Sequence, residues 1–538
     1  MPSQISKSVH ESEIVSMPPP LINSAKSLRP PIAMLGVPFD NVTKAEAIEL
    51  IELMVASRNP HYLVTANVDF LVQARADVEL RRILFDAHLV LCDGTPLVWA
   101  SRWLGNPLPE RVAGADLVPL LINVAAQKGY RLFFLGATPE SARLAVAKLS
   151  ASYPQLVIAG HYSPPFAHLL DMDHDEIKKR IVEARPDILF VSFGCPKQEK
   201  WIAMHYRQMK VPVTIGVGAT IDFLAGAVRR APVWMQRTGT EWVFRLAQEP
   251  RRLFRRYARD LCIFGSSFLP QWWQLQFSRS RRKSVVSSQK TEPSQLVKPV
   301  PVCPPASSET LVNSLVNGQV DFQKIQLPER CDFAYTLGPS NVVELAIADG
   351  RHCLVDTSLV KFIDSTGVGS LIRLQKRLRA LGREMILLAP SSPVRRALGL
   401  MRLDDFLLSV PDLNTAIQLL HTRFGEQGNT LKLPTLAPNA PLSWHGEVTA
   451  ANAEEIWEHT RRYLTALPAS QEGIINMAAV KFIDSSGLGL MVRARKLAQQ
   501  EQKTLRFTEL RPAVKNVIRI ARLEEFLLKP QRMLTVER

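Results

Sequence analysis

Cysteine is scarce in this sequence, and the marks of an exported protein are missing. Six cysteines occur among the 538 residues, and no two of them form a CxxC pair. This scatter argues against a zinc site and a disulfide framework, and it indicates a reducing compartment. The N-terminal stretch MPSQISKSVHESEIVSMPPP contains no apolar segment of a signal peptide. No uncharged apolar run reaches the roughly 20 residues of a membrane-spanning helix, so we expect a cytoplasmic protein.

Two phosphate-binding motifs are also missing. The chain has neither a Walker A sequence nor GxGxxG, which weighs against a kinase and a dehydrogenase. Positive charge, by contrast, is in excess, because 66 Lys and Arg face 50 Asp and Glu and give a formal net charge of +16. This excess predicts a polyanionic neighbour: an acidic membrane surface, nucleic acid or a phosphorylated substrate.

The chain is too long for one ordinary core, and its composition divides it into several parts. Stretches rich in Ser, Pro and Lys indicate a disordered tail and linkers between folded blocks. The predicted parts are a disordered tail (1–30), an α/β domain (31–283) that ends in a basic appendage (229–283), a linker (284–309), a small α/β domain (310–424), a second linker (425–439) and a second small α/β domain (440–538).

In the large block, five apolar and β-branched runs alternate with helical stretches. The runs are HYLVTANV, AHLVLCDG, RLFFLGAT, ILFVSFG and VPVTIGVG. Such alternation predicts an α/β fold with a Rossmann-like, mainly parallel sheet. Ligands of these sheets bind beyond the carboxyl ends of the strands, and four of the five ends carry Gly beside small or hydroxyl residues. Each Gly loop taken alone indicates a tight turn more than a phosphate site.

Asp93 stands out among these strand ends because it lies between an apolar run and Gly94. A carboxylate at the mouth of a cleft can act as a general base. The same position also suits a residue that caps a helix over Thr95–Trp103. The residue pattern alone leaves both interpretations open.

Several longer segments, in order over about residues 33–270, resemble the WecG/TagA/CpsF glycosyltransferases, which are glycosyltransferase family 26. They include TANVDFLVQARADVEL, LCDGTPLVWASRWLGNPLPERVAGADL, FLGATPESA, FGCPKQEKWI and GVGATIDFLAGAVRRAPVWMQRTGTEW. The resemblance implies transfer of N-acetylmannosamine, or a related sugar, from a UDP donor to a saccharide on a lipid pyrophosphate. It also implies inversion at the anomeric carbon, without a metal ion or another cofactor.

The resemblance assigns roles at the first two strand ends. Asp93 would be the base that deprotonates the acceptor hydroxyl, with Thr65 in the catalytic pocket and Asn67 lining it. Arg111 would meet the charge of the acceptor or the diphosphate, and Asp116 would shape the same cleft. The implied reaction is a single displacement in which the base activates the hydroxyl while basic groups stabilise the departing UDP.

The resemblance also places donor-binding residues at later strand ends. Gly136 and Thr138 would lie near the nucleotide, and Gln198 would bind the donor together with Lys197 and Glu199. The stretch DMD at residues 171–173 has the form of a metal-nucleotide motif. Its polar surroundings nevertheless favour a loop that caps a helix, so no metal site is expected.

The appendage from 229 to 283 is strongly basic, with 12 arginines and one lysine against three carboxylates. Aromatic residues interleave with these charges. This composition suits a segment that binds anionic lipids, a segment that binds nucleic acid, or a charged helix that is exposed to solvent. The resemblance favours a peripheral position at the inner face of the plasma membrane, with no nucleic acid. It also implies that arginines close over the active site, and the candidates are Arg237, Arg245 and Arg252.

A short sequence occurs twice near the end of the chain. Residues 360–371 read VKFIDSTGVGSL and residues 480–491 read VKFIDSSGLGLM, which indicates a duplicated domain. In each copy, Asp-Ser precedes a helical pattern and suits a helix cap, and the following Gly lets the turn close. Both blocks resemble the STAS domain, named for sulphate transporters and anti-sigma factor antagonists. That resemblance implies a partner such as an anti-sigma-factor-like kinase, and the phosphorylation candidates are Ser365, Thr366, Ser485 and Ser486.

Two functions remain in view. The first is a glycosyltransferase of bacterial exopolysaccharide or cell-wall polymer synthesis, regulated through its tandem STAS domains. The alternative is a non-enzymatic scaffold that acts through STAS partner switching. The presence of Asp93, Thr65 and Gln198 favours the enzyme.

Overall fold

The computed structural model of the protein describes residues 29–287, 322–337, 351–404, 406–424, 441–468 and 471–529, and also residues 341, 343 and 346. Most of the predicted tail (1–30), most of the linker 284–309 and all of the linker 425–439 lie outside these residues. The chain forms two compact units. One comprises Met34–Trp272 with Glu426–Arg538, and the other comprises Met1–Ala33 with Trp273–Gly425.

Strands and helices alternate through the N-terminal block, and helices alone follow at its end. The elements are β1 (Ile32–Met34), β2 (Val37–Phe39), α1 (Lys44–Ser57), β3 (His61–Ala66), α2 (Val68–Ala76), α3 (Val78–Asp86), β4 (Leu89–Cys92), α4 (Thr95–Trp103), α5 (Gly114–Lys128), β5 (Arg131–Gly136), α6 (Pro139–Ser152), β6 (Val157–Tyr162), α7 (His174–Ala184), β7 (Ile188–Ser192), α8 (Lys197–Met209), β8 (Val213–Gly216), α9 (Thr220–Ala225), α10 (Val233–Thr238), α11 (Glu241–Gln248) and α12 (Pro250–Ser287). Within the described ranges, no helix combines the length and the apolar character that crossing a membrane requires.

Six parallel strands form the central sheet in the order β4-β3-β8-β7-β5-β6. The predicted α/β fold with a parallel sheet is therefore confirmed, and each of the five predicted runs contains a strand. Strand β6 was not predicted. It pairs with β5 at the edge of the sheet, and its side chains are mostly half-buried. Such a strand does not require apolar residues throughout, and its sequence VIAGHY gives no strong apolar signal.

Helix starts in this block follow short-range rules. Thr43 and Glu46 form a capping box at α1, because the Thr43 side chain accepts from the Glu46 N–H and the Glu46 carboxylate accepts from the Thr43 N–H. Asp173 accepts from the Glu176 N–H at the start of α7, which confirms the capping interpretation of the 171–173 stretch. Helix α4 is different, since Gly94 precedes it and no side chain caps it. The capping interpretation of Asp93 is therefore wrong.

The unit that contains Trp273–Gly425 carries the first copy of the repeated sequence. Its elements beyond α12 are β9 (Phe322–Gln326), β10 (Arg330–Cys331), α13 (Phe333–Thr336), β11 (His352–Asp356), β12 (Phe362–Ile363), α14 (Ser365–Ala380), β13 (Met385–Leu388), α15 (Ser392–Met401), β14 (Ser409–Val410) and α16 (Leu413–Phe424). Four parallel strands form a sheet in the order β14-β13-β11-β9.

The second copy lies in the other unit, together with the N-terminal block. Its elements are β15 (Leu442–Val448), α17 (Ala453–Ala466), β16 (Gly473–Ile483), α18 (Ser485–Gln500), β17 (Leu505–Thr508), α19 (Pro512–Ile520) and α20 (Glu524–Leu528). Strands β15, β16 and β17 are parallel and lie in that order. Trp444, Met477, Val480 and Met491 belong to one buried apolar core.

The repeated sequence is a helix start in both copies, as predicted. Asp364 accepts from the backbone of α14, and Asp484 accepts from the Gly487 N–H at the start of α18. The role predicted for the glycines is different. A Cβ on Gly367 would clash with the Cys331 carbonyl, and one on Gly487 would lie 2.7 Å from the Val448 carbonyl oxygen. The glycines therefore let the helix approach a neighbouring strand.

Candidate active site

Two adjacent strand ends bring Thr65, Asn67 and Asp93 together. Ala66 at the end of β3 pairs with Cys92 at the end of β4, and the Asp93 N–H donates to the Ala66 carbonyl at 2.9 Å. The Thr65 side chain is buried beside Gly114 at the start of α5. Asn67 caps α2, because its side-chain oxygen accepts from two backbone N–H groups of that helix. Parallel pairing alone therefore assembles this part of the site.

The Asp93 carboxylate is half-buried, and no hydrogen bond holds it among the residues that the structure describes. Burial raises the pKa of Asp93 to about 6, although the positive charges of Arg111 and Arg245 oppose this rise. A carboxylate with a pKa near neutrality, free of protein hydrogen bonds, can accept a proton from a substrate hydroxyl.

An ion-pair cluster of three arginines and two carboxylates lies next to Asp93. Arg111 donates to Asp116 at 2.9 Å and to Glu241 at 3.2 Å. Arg230 pairs with Asp116, and Arg245 donates to Glu241 at 3.0 Å. The cluster has a formal charge of +1, from three guanidinium groups and two carboxylates. It can therefore stabilise negative charge that develops on a bound group.

Glu241 is the shared acceptor of this cluster and is 6% exposed. Burial alone would raise its pKa, but Arg245, Arg230 and Arg111 together hold the pKa of Glu241 below its ordinary value. The carboxylate is therefore ionised at neutral pH and fixes the geometry of the guanidinium groups around it.

The appendage reaches the same place through a close backbone contact. Gly239 ends α10 with a φ of +75°, and a Cβ there would clash with the side chain of Thr95. Thr95 begins α4, two residues after Asp93. The appendage therefore packs beside the candidate base and brings Arg245 to it, whereas the side chains of Arg237 and Arg252 lie outside the described part of the chain.

Sequence reasoning missed two members of this cluster, Arg230 and Glu241. A signal for Glu241 was present, because it is one of three carboxylates in a segment with 13 basic residues. An isolated acid among many arginines is well placed to organise them.

At the same edge of the sheet, but three strands away from β3, Gly136 and Thr138 shape the turn after β5. Gly136 has a φ of +93°, and a Cβ there would clash with the Ser192 carbonyl at the end of β7. Thr138 caps α6, since its hydroxyl accepts from the Ser141 N–H at 3.1 Å. These contacts account for both residues structurally, and their position near a nucleotide remains a prediction.

Gln198 is buried and fastens two strand-end loops to α8. Its side-chain oxygen accepts from the N–H groups of Gly194 and Gly218, each at 3.2 Å. Its amide group donates to Glu199 at 2.7 Å. The Gln198 side chain is thus occupied by protein contacts, and it can act on a donor by holding the Gly194 and Gly218 loops in place.

The two neighbours of Gln198 on α8 have different surroundings. Lys197 is half-buried, and its ammonium group donates to the Ala167 carbonyl at 2.6 Å. Removal from water lowers the pKa of Lys197. Glu199 is buried, which raises its pKa to about 7, while hydrogen bonds from Gln198 and Cys195 oppose the rise. Donor binding by either side chain remains a prediction.

No group of three or more His, Cys, Asp and Glu side chains in the described ranges is arranged to hold a metal ion. The cluster next to Asp93 instead consists of guanidinium groups and carboxylates. Its arginines can supply the positive charge that a metal ion supplies in other phosphate-binding sites.

Large aromatic side chains are exposed close to the site. Trp99 and Trp103 on α4 are 51% and 60% exposed, and the Trp103 ring lies 6.1 Å from that of Phe268 on α12. On the appendage, Trp234 and Trp242 are also exposed. Exposed tryptophans beside many arginines form a surface suited to an interface between water and lipid.

Three regions of the chain are similar in sequence to known proteins. Residues 32–278 match the sequence model of the glycosyl transferase WecG/TagA/CpsF family, and residues 316–416 and 438–536 match that of the STAS domain. An N-acetylglucosaminyldiphosphoundecaprenol N-acetyl-beta-D-mannosaminyltransferase of Staphylococcus aureus (strain MW2) is 33% identical over 226 residues, which are 42% of this chain and 87% of that relative. Proteins with the same name from strains NCTC 8325 / PS 47 and COL have the same identity and coverage. The chain therefore belongs to the WecG/TagA/CpsF family of glycosyltransferases, which transfer hexosyl groups, and it carries two STAS domains.

Proposed function

We propose that this protein transfers N-acetylmannosamine, or a related hexose, from a UDP donor to a saccharide carried on a lipid pyrophosphate. The observation that carries the proposal is the half-buried Asp93, with a pKa of about 6, beside a cluster of arginines. The names of the Staphylococcus aureus relatives supply the sugar and the class of acceptor.

In the proposed reaction, the Asp93 carboxylate takes the proton of the acceptor hydroxyl. The acceptor oxygen then attacks the anomeric carbon, and the bond from that carbon to the UDP oxygen breaks on the opposite face, so the configuration inverts. UDP leaves with a new negative charge, which Arg111, Arg245 and neighbouring backbone N–H groups stabilise. No metal ion or cofactor takes part in this scheme.

The other predicted residues support these steps. Thr65 and Asn67 shape the pocket around the acceptor hydroxyl, and Asp116 orients Arg111. Gly136 and Thr138 form the turn closest to the nucleotide.

The helix that carries Lys197, Gln198 and Glu199 belongs to the donor side of the proposed site. Gln198 keeps the Gly194 and Gly218 loops in the conformation that receives the donor. The appendage residues Arg237 and Arg252 are further candidates for contact with the diphosphate.

A direct assay tests this proposal. The purified chain is incubated with UDP-N-acetylmannosamine and a short-chain lipid pyrophosphate that carries N-acetylglucosamine, and UDP and the glycosylated lipid are measured. We expect acceptor-dependent product that excess EDTA does not reduce. The absence of product with any UDP-hexosamine, from a chain shown by circular dichroism to be folded, would overturn the proposal and favour the scaffold function.

A lipid-linked acceptor would be met at a membrane, and we propose that the basic appendage and the exposed tryptophans hold the enzyme at an anionic inner surface. Flotation with phosphatidylglycerol vesicles tests this, with phosphatidylcholine vesicles for comparison. Trp103→Ser and Trp234→Ser should each weaken binding to anionic vesicles. Phe166→Ser is the matched control, because Phe166 is fully exposed but lies outside the appendage. Equal binding of all four proteins would exclude this surface.

For the STAS domains we propose regulation through a protein partner, with a serine or threonine of the repeated sequence as the phosphate acceptor. Ser365, Thr366 and Ser485 are buried and Ser486 is half-buried, so a kinase would need the domain to open locally. Phosphopeptide mapping of the full chain after incubation with ATP and cell extract tests the proposal. Consistent absence of phosphate from both peptides would leave these residues with a structural role only.

A further inference from the structure

The start of α18 in the second STAS domain contacts α3 of the transferase domain. The Ser485 N–H donates to one carboxylate oxygen of Glu79 at 2.5 Å, and the Ser485 hydroxyl donates to the other oxygen at 2.8 Å. Both residues belong to the same compact unit and both are buried. A carboxylate at a helix N-terminus is stabilised by the unpaired N–H groups and by the helix dipole.

Glu79 does not face the STAS domain alone. Lys200 on α8 lies 2.8 Å from the Glu79 carboxylate and 2.7 Å from Asp77, which caps α3. One carboxylate therefore joins three helices, α3 and α8 of the transferase domain and α18 of the STAS domain. The link is close to the donor side of the proposed site, because Gln198 and Glu199 precede Lys200 on α8.

A second group of contacts flanks the Glu79–Ser485 pair. Arg82, one turn further along α3, forms an ion pair of 2.5 Å with Glu447 at the end of β15. The Arg82 guanidinium group also lies 4.8 Å from the centre of the Phe482 ring. Leu170 of the transferase domain packs against the apolar core of the STAS domain and lies next to Gly489. The contact thus combines a hydrogen-bonded carboxylate, an ion pair and an apolar residue.

Two carboxylates already lie at the start of α18. Asp484 caps this helix, and the Glu79 carboxylate lies beside it. Burial, with the nearby charge of Glu79, raises the pKa of Asp484 to about 6. A further anionic group on Ser485 would be repelled by both carboxylates and would lose the hydrogen bond that its hydroxyl donates.

We infer that the transferase domain is itself the binding partner of the second STAS domain, and that a negative charge on Ser485 releases it. Glu79 with Lys200 is the recognition pair on the transferase side, and the Ser485 N–H and hydroxyl are its counterpart. Docking restrains α3 and α8, and α8 carries the residue that fastens the Gly194 and Gly218 loops. The inference rests on contacts away from Asp93 and does not depend on the identity of the donor or acceptor.

Hydrogen–deuterium exchange of the full chain, read by mass spectrometry, tests the inference without any activity measurement. Ser485→Asp should raise amide exchange in peptides that cover α3 and α8 by about tenfold or more, as expected when charge-assisted hydrogen bonds are lost. Ser443→Asp is the matched control, because Ser443 is an exposed serine in the same STAS domain. It should leave exchange in α3 and α8 unchanged.

Loss of protection in β16 would reveal that Ser485→Asp unfolds the STAS domain. In that case a pair of charge-swap variants tests the contact between the two domains. Arg82→Glu and Glu447→Arg should each raise exchange in α3, and the double variant should restore protection. Unchanged exchange of α3 and α8 in Ser485→Asp, with β16 still protected, would overturn the inference. A double variant no better protected than the single ones would overturn it as well.

Discussion

Arg111 and Glu241 are 130 residues apart in the sequence, and an ion pair of 3.2 Å joins them beside Asp93. Arg111 lies in the loop between α4 and α5, whereas Glu241 begins α11 in the appendage. The parallel sheet and the appendage therefore share one charge cluster. In this arrangement the sheet supplies the candidate base, and the appendage supplies part of the positive field around it.

Asp93→Asn should lower the rate of hexosyl transfer by about 10²–10⁴-fold, because the amide cannot accept the proton of the acceptor hydroxyl. The measurement is the initial rate of UDP release with the lipid-linked acceptor. Asp175→Asn is the matched control, since the Asp175 carboxylate is 95% exposed on α7, and it should retain full activity. Equal rates for Asp93→Asn and the wild type would refute the assignment of the base.

The pH dependence of kcat/KM should report the same carboxylate. Only the ionised form of Asp93 can accept a proton, so kcat/KM should rise about tenfold per pH unit below pH 6 and reach a plateau above it. The charges nearest to it are those of Arg111, Arg245, Glu241 and Asp116. Initial rates between pH 5 and pH 8 test this, and a flat profile over that range would contradict the raised pKa.

The raised pKa of Asp93 also has a consequence for stability. Its pKa is higher in the folded protein than in the unfolded chain, so its favourable contribution is present at low pH and is lost as pH rises through about 6. Asp93→Asn should therefore stabilise the protein at pH 7.5, by about 1–3 kcal/mol, and have little effect near pH 4. Thermal unfolding of both proteins at the two pH values measures this. A variant less stable than the wild type at pH 7.5 would contradict it.

Glu241→Gln should loosen the appendage, because three guanidinium groups lose the carboxylate that balances them. We expect a loss of about 3 kcal/mol in the stability of the appendage contact and a fall in kcat/KM. Exchange of backbone amides in α10 and α11 and the transfer rate are the two measurements. Glu140→Gln, at an acid on α6 whose side chain is 76% exposed, should change stability by no more than about 0.5 kcal/mol. Indistinguishable behaviour of the two variants would show that Glu241 does not organise the cluster.

Gln198→Ala should leave the N–H groups of Gly194 and Gly218 without their acceptor. Both hydrogen bonds are part-buried, and each one lost costs about 0.5–1.5 kcal/mol, so thermal stability should fall and the KM for the donor should rise. Gln208→Ala is the control on the same helix, since Gln208 is exposed. A donor KM that stays at the wild-type value would remove Gln198 from the proposed donor site.

The strands and the repeated domains could be predicted from local patterns, whereas the charge cluster could not. A buried strand such as β4, whose sequence is LVLC, is apolar throughout, so the sequence alone reveals it. Glu241 finds its partners only after the appendage folds back, and no local pattern encodes a contact over 130 residues. The sequence alone does not distinguish a helix cap from a general base at Asp93, because a short acidic side chain after a strand suits both roles. The backbone at Gly94 excludes the cap, and the role of Asp93 as a base stays a prediction.

The contact between Glu79 and Ser485 joins residues that are 406 positions apart, and this separation sets an order of events during synthesis. Ribosomes add about 5–20 residues per second, so Glu79 is made roughly 20–80 s before Ser485, and Lys200 roughly 15–60 s before it. Throughout that interval the nascent transferase domain presents its acid–base pair to water, until the second STAS domain has been made and covers it. Docking of the second STAS domain is therefore a late step in the assembly of this unit.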